Sequence, residues 1–202
     1  MGHAGMAAAA VRYLRSVEAA PEREPVEVLP RPELRCVGED ERAPVGQAEF
    51  RRVLGNFATG VAVVTAPASA DAPHTPAGFA CQSFSALSLD PPLVAFMVGR
   101  TSTTWPRIAR AGVFCVNVLS AGQGELCRGF AVSGADKFAG VAYDAAPASG
   151  SPRLAGTLAW IDCTIHAVHT GGDHLIVVGR VDALGASGGD EAPLLFHKGR
   201  FL

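Results

Sequence analysis

The sequence predicts a mainly β protein: a closed antiparallel barrel with a few short peripheral helices. Six apolar or β-branched runs of strand length lie at 61–66, 77–84, 93–98, 113–119, 158–168 and 175–184. Pro and Gly punctuate them, and only two short helical patches intervene, near 104–110 and 123–130. Strands joined by tight turns close on themselves, whereas a helix after every strand would indicate a doubly wound parallel sheet.

The elements follow in order. Phe50, Val53, Leu54 and Phe57 fall at i, i+3, i+4 and i+7, the apolar face of a packing helix that Gly60 would stop. Residues 78–90, followed by Pro91-Pro92, alternate small or hydroxylated residues (Gly78, Ala80, Ser83, Ser85, Ser88) with bulky ones (Phe79, Phe84, Leu87, Leu89). They read as an exposed-edge strand. Such a strand brings backbone N–H groups close to a flat ligand and offers hydroxyls to a phosphate. His169-Thr-Gly-Gly-Asp-His174 reads as a hairpin connection with two glycines available for positive φ. Residues 145–151 and 185–189 are small-residue loops, and there is no internal repeat.

Composition narrows the function. The chain has 202 residues and a formal charge of −2. Residues 1–44 hold 6 Arg and 8 acidic side chains, and prolines at 21, 25, 30 and 32, with few large apolar residues. They are expected to form a disordered or poorly packed extension before a domain at 45–202. The body carries 11 basic and 11 acidic side chains. Without a basic stripe it has no electrostatic reason to bind nucleic acid. Five cysteines without C-x-x-C spacing read as reduced, buried thiols. No apolar run reaches the ~20 residues of a membrane helix, and no signal peptide is evident, so a soluble cytoplasmic protein is expected. Neither G-x-G-x-x-G nor G-K-[ST] is present, so a nucleotide would be held by another device.

Other residues admit plain readings. Ser102, Thr103 and Thr104 can cap the helix that begins at Trp105. Trp105 and Trp160 read as core or interface residues, and Asp136-Lys137 as a surface ion pair. His166 and His169 would point to opposite faces of a strand, so no metal is expected.

Several ordered segments resemble the short flavin reductases that serve two-component monooxygenases. They are Phe50-Arg-Arg-Val-Leu-Gly-Asn-Phe-Ala-Thr-Gly60, Gly78-Phe-Ala-Cys-Gln-Ser-Phe84, Ser88-Leu-Asp-Pro-Pro-Leu-Val94 and Phe114-Cys-Val-Asn-Val-Leu119. Asp136-Lys-Phe-Ala-Gly140, Gly172-Asp-His174 and Pro193-Leu-Leu-Phe196 complete the set, which covers about 48–201. Within that family, Ile161–Thr164 and Val168–His174 are most similar to the reductase components of actinobacterial seco-steroid phenol hydroxylases. Reductases of phenol and 4-hydroxyphenylacetate hydroxylases are related.

The resemblance implies an FMN-binding split barrel, a homodimer, and hydride transfer from NAD(P)H to FMN or FAD; no Arg cluster awaits a 2′-phosphate, so NADH is expected rather than NADPH. The reduced flavin would pass to a separate flavin-dependent oxygenase. Flavin contacts would come from Pro76, Ala77, Gly78, Phe79, Ala80, Gln82, Ser83, Met97, Val98, Gly99, Ser102, Thr103, Thr104, Gly129 and Phe130. His174 would position the nicotinamide, with Phe196, His197, Lys198 and Gly199 on the same side. Gln82 stands where much of the family has Asn, and Gly129 replaces a basic residue beside Arg128. The alternatives are a flavoprotein that keeps its flavin, like the pyridoxamine-phosphate oxidases, and a non-catalytic flavin-binding module.

Overall fold

The computed structural model describes residues 44–68, 75–134 and 136–202. The extension expected over residues 1–44 lies, apart from Pro44, outside the described residues. Helix α1 (Gln47–Leu54) precedes strands β1 (Thr59–Gly60), β2 (Ala62–Ala66), β3 (Ala77–Cys81), β4 (Ser85–Leu89) and β5 (Pro92–Gly99). Helix α2 (Trp105–Ala111) leads into β6 (Val113–Val118), and a 3-10 turn into α3 (Gly124–Ala131). Strands β7 (Tyr143–Ala145), β8 (Pro152–Leu154), β9 (Ala159–Gly171), β10 (His174–Ala186), β11 (Leu195–His197) and β12 (Arg200–Phe201) complete the domain.

Seven strands form one sheet in the order β3-β2-β6-β9-β10-β5-β4, antiparallel at every pairing. The two edge strands, β3 and β4, are neighbours in sequence, so the curl of the sheet brings its edges together. Phe79 of β3 meets Phe96 of β5 with ring centroids 5.9 Å apart. At this seam a side chain replaces the ladder. The Ser83 hydroxyl donates to the Met97 carbonyl at 3.0 Å and accepts the Met97 N–H at 2.8 Å. The barrel is therefore split where the chain leaves β3 for β4. The single edge strand expected over 78–90 is two strands, because Gln82–Phe84 turn the chain there.

Both faces of the central strands are covered, which is why they read as unbroken apolar runs rather than alternating ones. Ala62, Val64 and Ala66 of β2 face the barrel interior with Phe96, Phe114 and Val177. Val61 and Val63 face a second cluster under α3, with Cys127, Phe130 and Leu154. Strands β9 and β10 are 13 residues each. Two register shifts leave His166 and Asp182 as extra residues, and such bulges bend long strands around a barrel. Their hairpin closes at Gly171↔His174, with Gly172 at φ +69°, as the sequence indicates.

Outside the barrel, buried Asn117 holds the β7–β8 hairpin. Its amide donates to the Pro152 carbonyl at 3.3 Å, and its oxygen accepts the Leu154 N–H at 2.8 Å.

Helix α1 departs from expectation in two ways. It ends at Leu54, where the Asn56 side chain donates to the carbonyls of Arg52 and Val53 at 3.1 and 3.0 Å. The stop therefore comes before Gly60. Its apolar face is also open within one chain, for no residue of α1 is buried, and Phe50 and Phe57 are 56% and 77% exposed. The described cysteines, Cys81, Cys115, Cys127 and Cys163, are free and buried as expected. Among the described residues, no helix is long and apolar enough to cross a membrane.

Candidate functional site

Strand β3 presents one face to each core. Ala77, Phe79 and Cys81 enter the barrel interior, whereas Ala80 packs toward the second cluster. Gly78 lies on that outer face, where close approach requires the absence of a side chain. A Cβ there would stand 2.7 Å from Phe130 Cε1 and 3.2 Å from Phe138 Cζ. Phe130 and Phe138 meet edge to face at 5.1 Å, so the β3 backbone rests on a rigid aromatic floor.

Beside Gly78 opens a cleft of about 220 Å³. Pro76 and Gly78 line one side, Thr103, Thr104 and Arg107 a second, and Lys137 and Phe138 a third. Arg107 Nη2 donates to the Pro76 carbonyl at 3.3 Å and also to that of Thr75. Lys137 Nζ donates to the carbonyls of Gly78 at 3.2 Å and Phe130 at 3.0 Å, and its burial lowers its pKa. Lys137 therefore clamps β3 to α3 and does not form the expected ion pair with Asp136. The Asp136 carboxylate instead accepts the Phe138 N–H at 3.1 Å. A guanidinium and an ammonium have five and three N–H donors, so both cations keep donors free for an anion. Among the described residues, no carboxylate lines the cleft.

The residues singled out by resemblance fall into several groups. Pro76, Gly78, Thr103 and Thr104 line the cleft, and Phe130 lies beneath Gly78. Ala77, Phe79 and Val98 are turned into the barrel core. Gln82 is exposed on the turn after β3, and the Ser83 hydroxyl is taken up by Met97. Met97 is 44% exposed on the adjoining strand. Ser102 Oγ accepts the Trp105 N–H at 3.2 Å just ahead of α2, whose N-cap, Thr104, makes no side-chain cap bond. Gly129 faces open space rather than the cleft. Trp105 is a core residue, packed edge-on to Phe96 at 6.2 Å.

His174 pairs with Gly99 at the end of β5, continuous with the segment that reaches Thr103 and Thr104. Its Nδ1 lies 2.7 Å from an Asp173 carboxylate oxygen, and that bond lowers the Asp173 pKa, with Arg51 of α1 adding to the effect. Phe196 sits in the second core cluster against Phe201. His197 pairs with Arg200 across a turn in which Lys198 and Gly199 take φ of 48° and 80°. The Lys198 N–H bonds to the Gly55 carbonyl at 3.1 Å, so this turn flanks the C-terminal end of α1. None of residues 196–199 lines the cleft.

Sequence reasoning missed the roles of Arg107, Lys137 and Phe138. Lys137 and Phe138 carry a signal, since they stand inside the Asp136–Gly140 motif. Arg107 has none beyond its place in a short helix.

The chain is a split barrel whose β3 strand, with Gly78, borders a cleft that Arg107 and Lys137 make cationic. The model of the flavin reductase like domain matches residues 54–202, and the chain belongs to that family. It is 49% identical over 152 residues to the reductase subunit HsaB of a flavin-dependent monooxygenase from Rhodococcus jostii, covering 75% of each chain. It is 47% identical over 160 residues to a flavin reductase of Pseudomonas putida, covering 79% of this chain and 91% of the relative. Its fold matches that of a Streptomyces globisporus NADH:FAD oxidoreductase, SgcE6, solved with NAD and FAD fragments, at a TM-score of 0.71. That match has 38% identity and covers 77% of this chain and 91% of the other.

Proposed function

We propose that the chain is an NADH-dependent flavin reductase that releases reduced flavin to a separate flavin-dependent oxygenase, one acting on an aromatic or steroid-derived phenol. The observation that carries the site assignment is the Gly78 cleft, which brings two cations together with the Thr103 and Thr104 hydroxyls. The residues fit an anionic, planar nucleotide. Gly78 lets Phe130 and Phe138 close against the β3 backbone and so shapes the cleft wall, Arg107 and Lys137 suit a phosphate, and the Thr hydroxyls add donors.

The chemistry, hydride passage from a nicotinamide to a flavin ring, is supplied by the bound nucleotides themselves. The chain's task is to stack them at reacting distance, ~3–3.5 Å, and to orient them. The Asp173 carboxylate orients the His174 ring beside Gly99, where His174 meets the nicotinamide. Phe196–Gly199, which touch the end of α1 within the chain through the Lys198 N–H and the Gly55 carbonyl, would lie on the nicotinamide side of a homodimer. The open apolar face of Phe50, Val53, Leu54 and Phe57 supports that dimer, because contiguous exposed apolar surface marks an interaction site. Dependence on NADH supports a cytoplasmic location.

The test is NADH oxidation at 340 nm with excess free FMN or FAD. Many turnovers per protein are expected, whereas a single turnover with retained flavin would overturn the diffusible-flavin reading. Arg107→Ala is expected to weaken FMN about tenfold while leaving riboflavin, which lacks the phosphate, little changed. Equal losses for both ligands would remove the phosphate assignment from the cleft.

A further inference from the structure

The chain carries 15 arginines but only two lysines, Lys137 and Lys198. Lys198 is exposed on the β11–β12 turn, outside the Gly78 cleft. Lys137 lines that cleft, and its amine is held by backbone alone. Nζ bonds to the Gly78 carbonyl at 3.2 Å and the Phe130 carbonyl at 3.0 Å. Among the described residues, no carboxylate lines the cleft to hold the amine in its charged form.

This arrangement does not require an ammonium. An ammonium has three N–H donors, and the neutral amine has one fewer. The two that remain satisfy both carbonyls, so loss of one proton leaves every bond in place. The third tetrahedral position, toward the cleft that Lys137 lines, then becomes a lone pair. Burial acts in the same direction, since it lowers the pKa and enlarges the neutral fraction. A desolvated lysine of this kind is a nucleophile. Around it, Arg107 and the Thr103 and Thr104 hydroxyls gather an anion. The cleft, about 220 Å³, is smaller than the ~300–1,000 Å³ of sites that enclose a drug-sized ligand. A phosphate seated there has room for few further atoms.

We propose that Lys137 is a covalent modification site for small acyl phosphates, which the cleft recruits through their phosphate and which acylate Nζ. The lone pair of the neutral amine attacks the carbonyl carbon. The bond from that carbon to the phosphate oxygen breaks, its electron pair goes to the phosphate, and an amide forms. Two protons leave Nζ in all: one passes to solvent as the ammonium ionises, and the other departs on inorganic phosphate. Nothing is oxidised or reduced. The amide has one N–H and no charge, so it keeps at most one of the two carbonyl bonds and presents no cation to a flavin phosphate. Acylation would thus lower flavin affinity, a consequence that rests on the assignment of the flavin phosphate to this cleft.

The experiment is incubation of the full chain with acetyl phosphate, with acetyl occupancy of both lysines followed by peptide mass spectrometry. Exposed Lys198 is the internal control. Lys137 is expected to react about tenfold faster, the gain in recruitment from one charge-assisted hydrogen bond. Inorganic phosphate should protect Lys137 and not Lys198, which is read on the wild-type chain. Arg107→Ala should slow Lys137 about tenfold and leave Lys198 unchanged. With N-acetylimidazole, an uncharged acetyl donor, the Lys137 rate should not depend on Arg107. Equal rates at the two lysines, no protection by phosphate, or a folded Arg107→Ala chain that reacts as the wild type does overturns the proposal. The acetylated chain should bind FMN about tenfold more weakly, and unchanged FMN affinity overturns the regulatory role. FMN titration of the unmodified chain separates the two assignments. Flavin binding with unselective acetylation overturns the acylation site alone. Selective, phosphate-blocked acetylation that FMN does not slow supports the acylation site and removes the flavin phosphate from the cleft.

Discussion

Substituting Gly78 by alanine tests what the glycine does for the packing of β3 on the second core. The added methyl would sit 2.7 and 3.0 Å from two carbons of the Phe130 ring. Ordinary contact is 3.4–4 Å, so the overlap is several tenths of an ångström. Phe130 is 1% exposed and locked against Phe138, and both it and Gly78 are tied to Lys137 through their carbonyls. The ring therefore has nowhere to move without opening the second core. Overpacking of this kind costs about 1–3 kcal/mol. Alanine's smaller unfolded-state entropy offsets about 0.4–1 kcal/mol of that. A net loss of about 1–2 kcal/mol follows, or a urea midpoint lower by about 0.5–1 M at an m-value of ~2 kcal/mol/M. The assay is urea unfolding of wild type, Gly78→Ala, Phe130→Leu and the double variant. If the clash is with the ring, the alanine penalty shrinks once the ring is gone, and the cycle gives a coupling of about 1 kcal/mol. A Gly78→Ala protein as stable as wild type, or an unchanged penalty in the Phe130→Leu background, would refute the reasoning.

Ser83→Ala should cost about 1–2 kcal/mol, because it strips both partners from the Met97 backbone. Faster hydrogen exchange at the Met97 amide is the accompanying signature. Stability should also fall above pH ~9. The buried thiols of Cys81, Cys115, Cys127 and Cys163 are raised from 9.0 by burial, Cys115 to about 12, so the unfolded chain loses protons that the folded chain keeps. Each such thiol contributes a slope of up to about 1.4 kcal/mol per pH unit. A Cys115→Ala/Cys163→Ala variant under reducing conditions should lose much of the slope, and an unaltered slope contradicts the assignment. His174→Ala should raise the KM for NADH about tenfold and leave the FMN Kd unchanged; a normal KM removes the nicotinamide contact. Phe57→Asp should shift the sedimentation coefficient from dimer to monomer, whereas a monomeric wild type leaves the α1 face unexplained.

The barrel is legible in the sequence because its central strands are covered on both sides, and the runs at 61–66, 93–98 and 113–119 have no polar face to confuse the reading. What escapes is short or two-sided. Strands β7, β11 and β12 have two or three residues each, too few to show a period. The break at Gln82–Phe84 depends on a serine hydroxyl that completes a ladder from 14 residues away, which no local pattern encodes. The apolar stripe of α1 reads correctly as a stripe and wrongly as packed within the chain, for periodicity says that a face will be covered but not by what. The Gly78 strand is recognisable by motif, whereas the cations that complete the cleft come from Arg107 and Lys137, 29 and 59 positions further on. Arg107 comes from α2 and Lys137 from the segment after α3, so their meeting is a property of topology rather than of spacing.

The alternation of β3 explains why binding and stability are hard to separate here. One set of its side chains, Ala77, Phe79 and Cys81, anchors the strand inside the barrel, and Phe79 also touches the far edge through Phe96. The other face is held by Lys137 and by the aromatic floor below Gly78. A strand fixed on both sides is a poor place for induced fit but a good place to present backbone and cations in one geometry. For a reaction in which two cofactors do the chemistry, such geometry is the main thing a protein has to supply. Lys137 illustrates the economy. Its ammonium is partly desolvated by the same contacts that join β3 to α3, and a cation so placed gains more from an incoming phosphate than a solvated one does. Lys137→Met should therefore lower both unfolding stability and FMN affinity. A variant that lost one while keeping the other would show that the clamp and the anion site are separable after all.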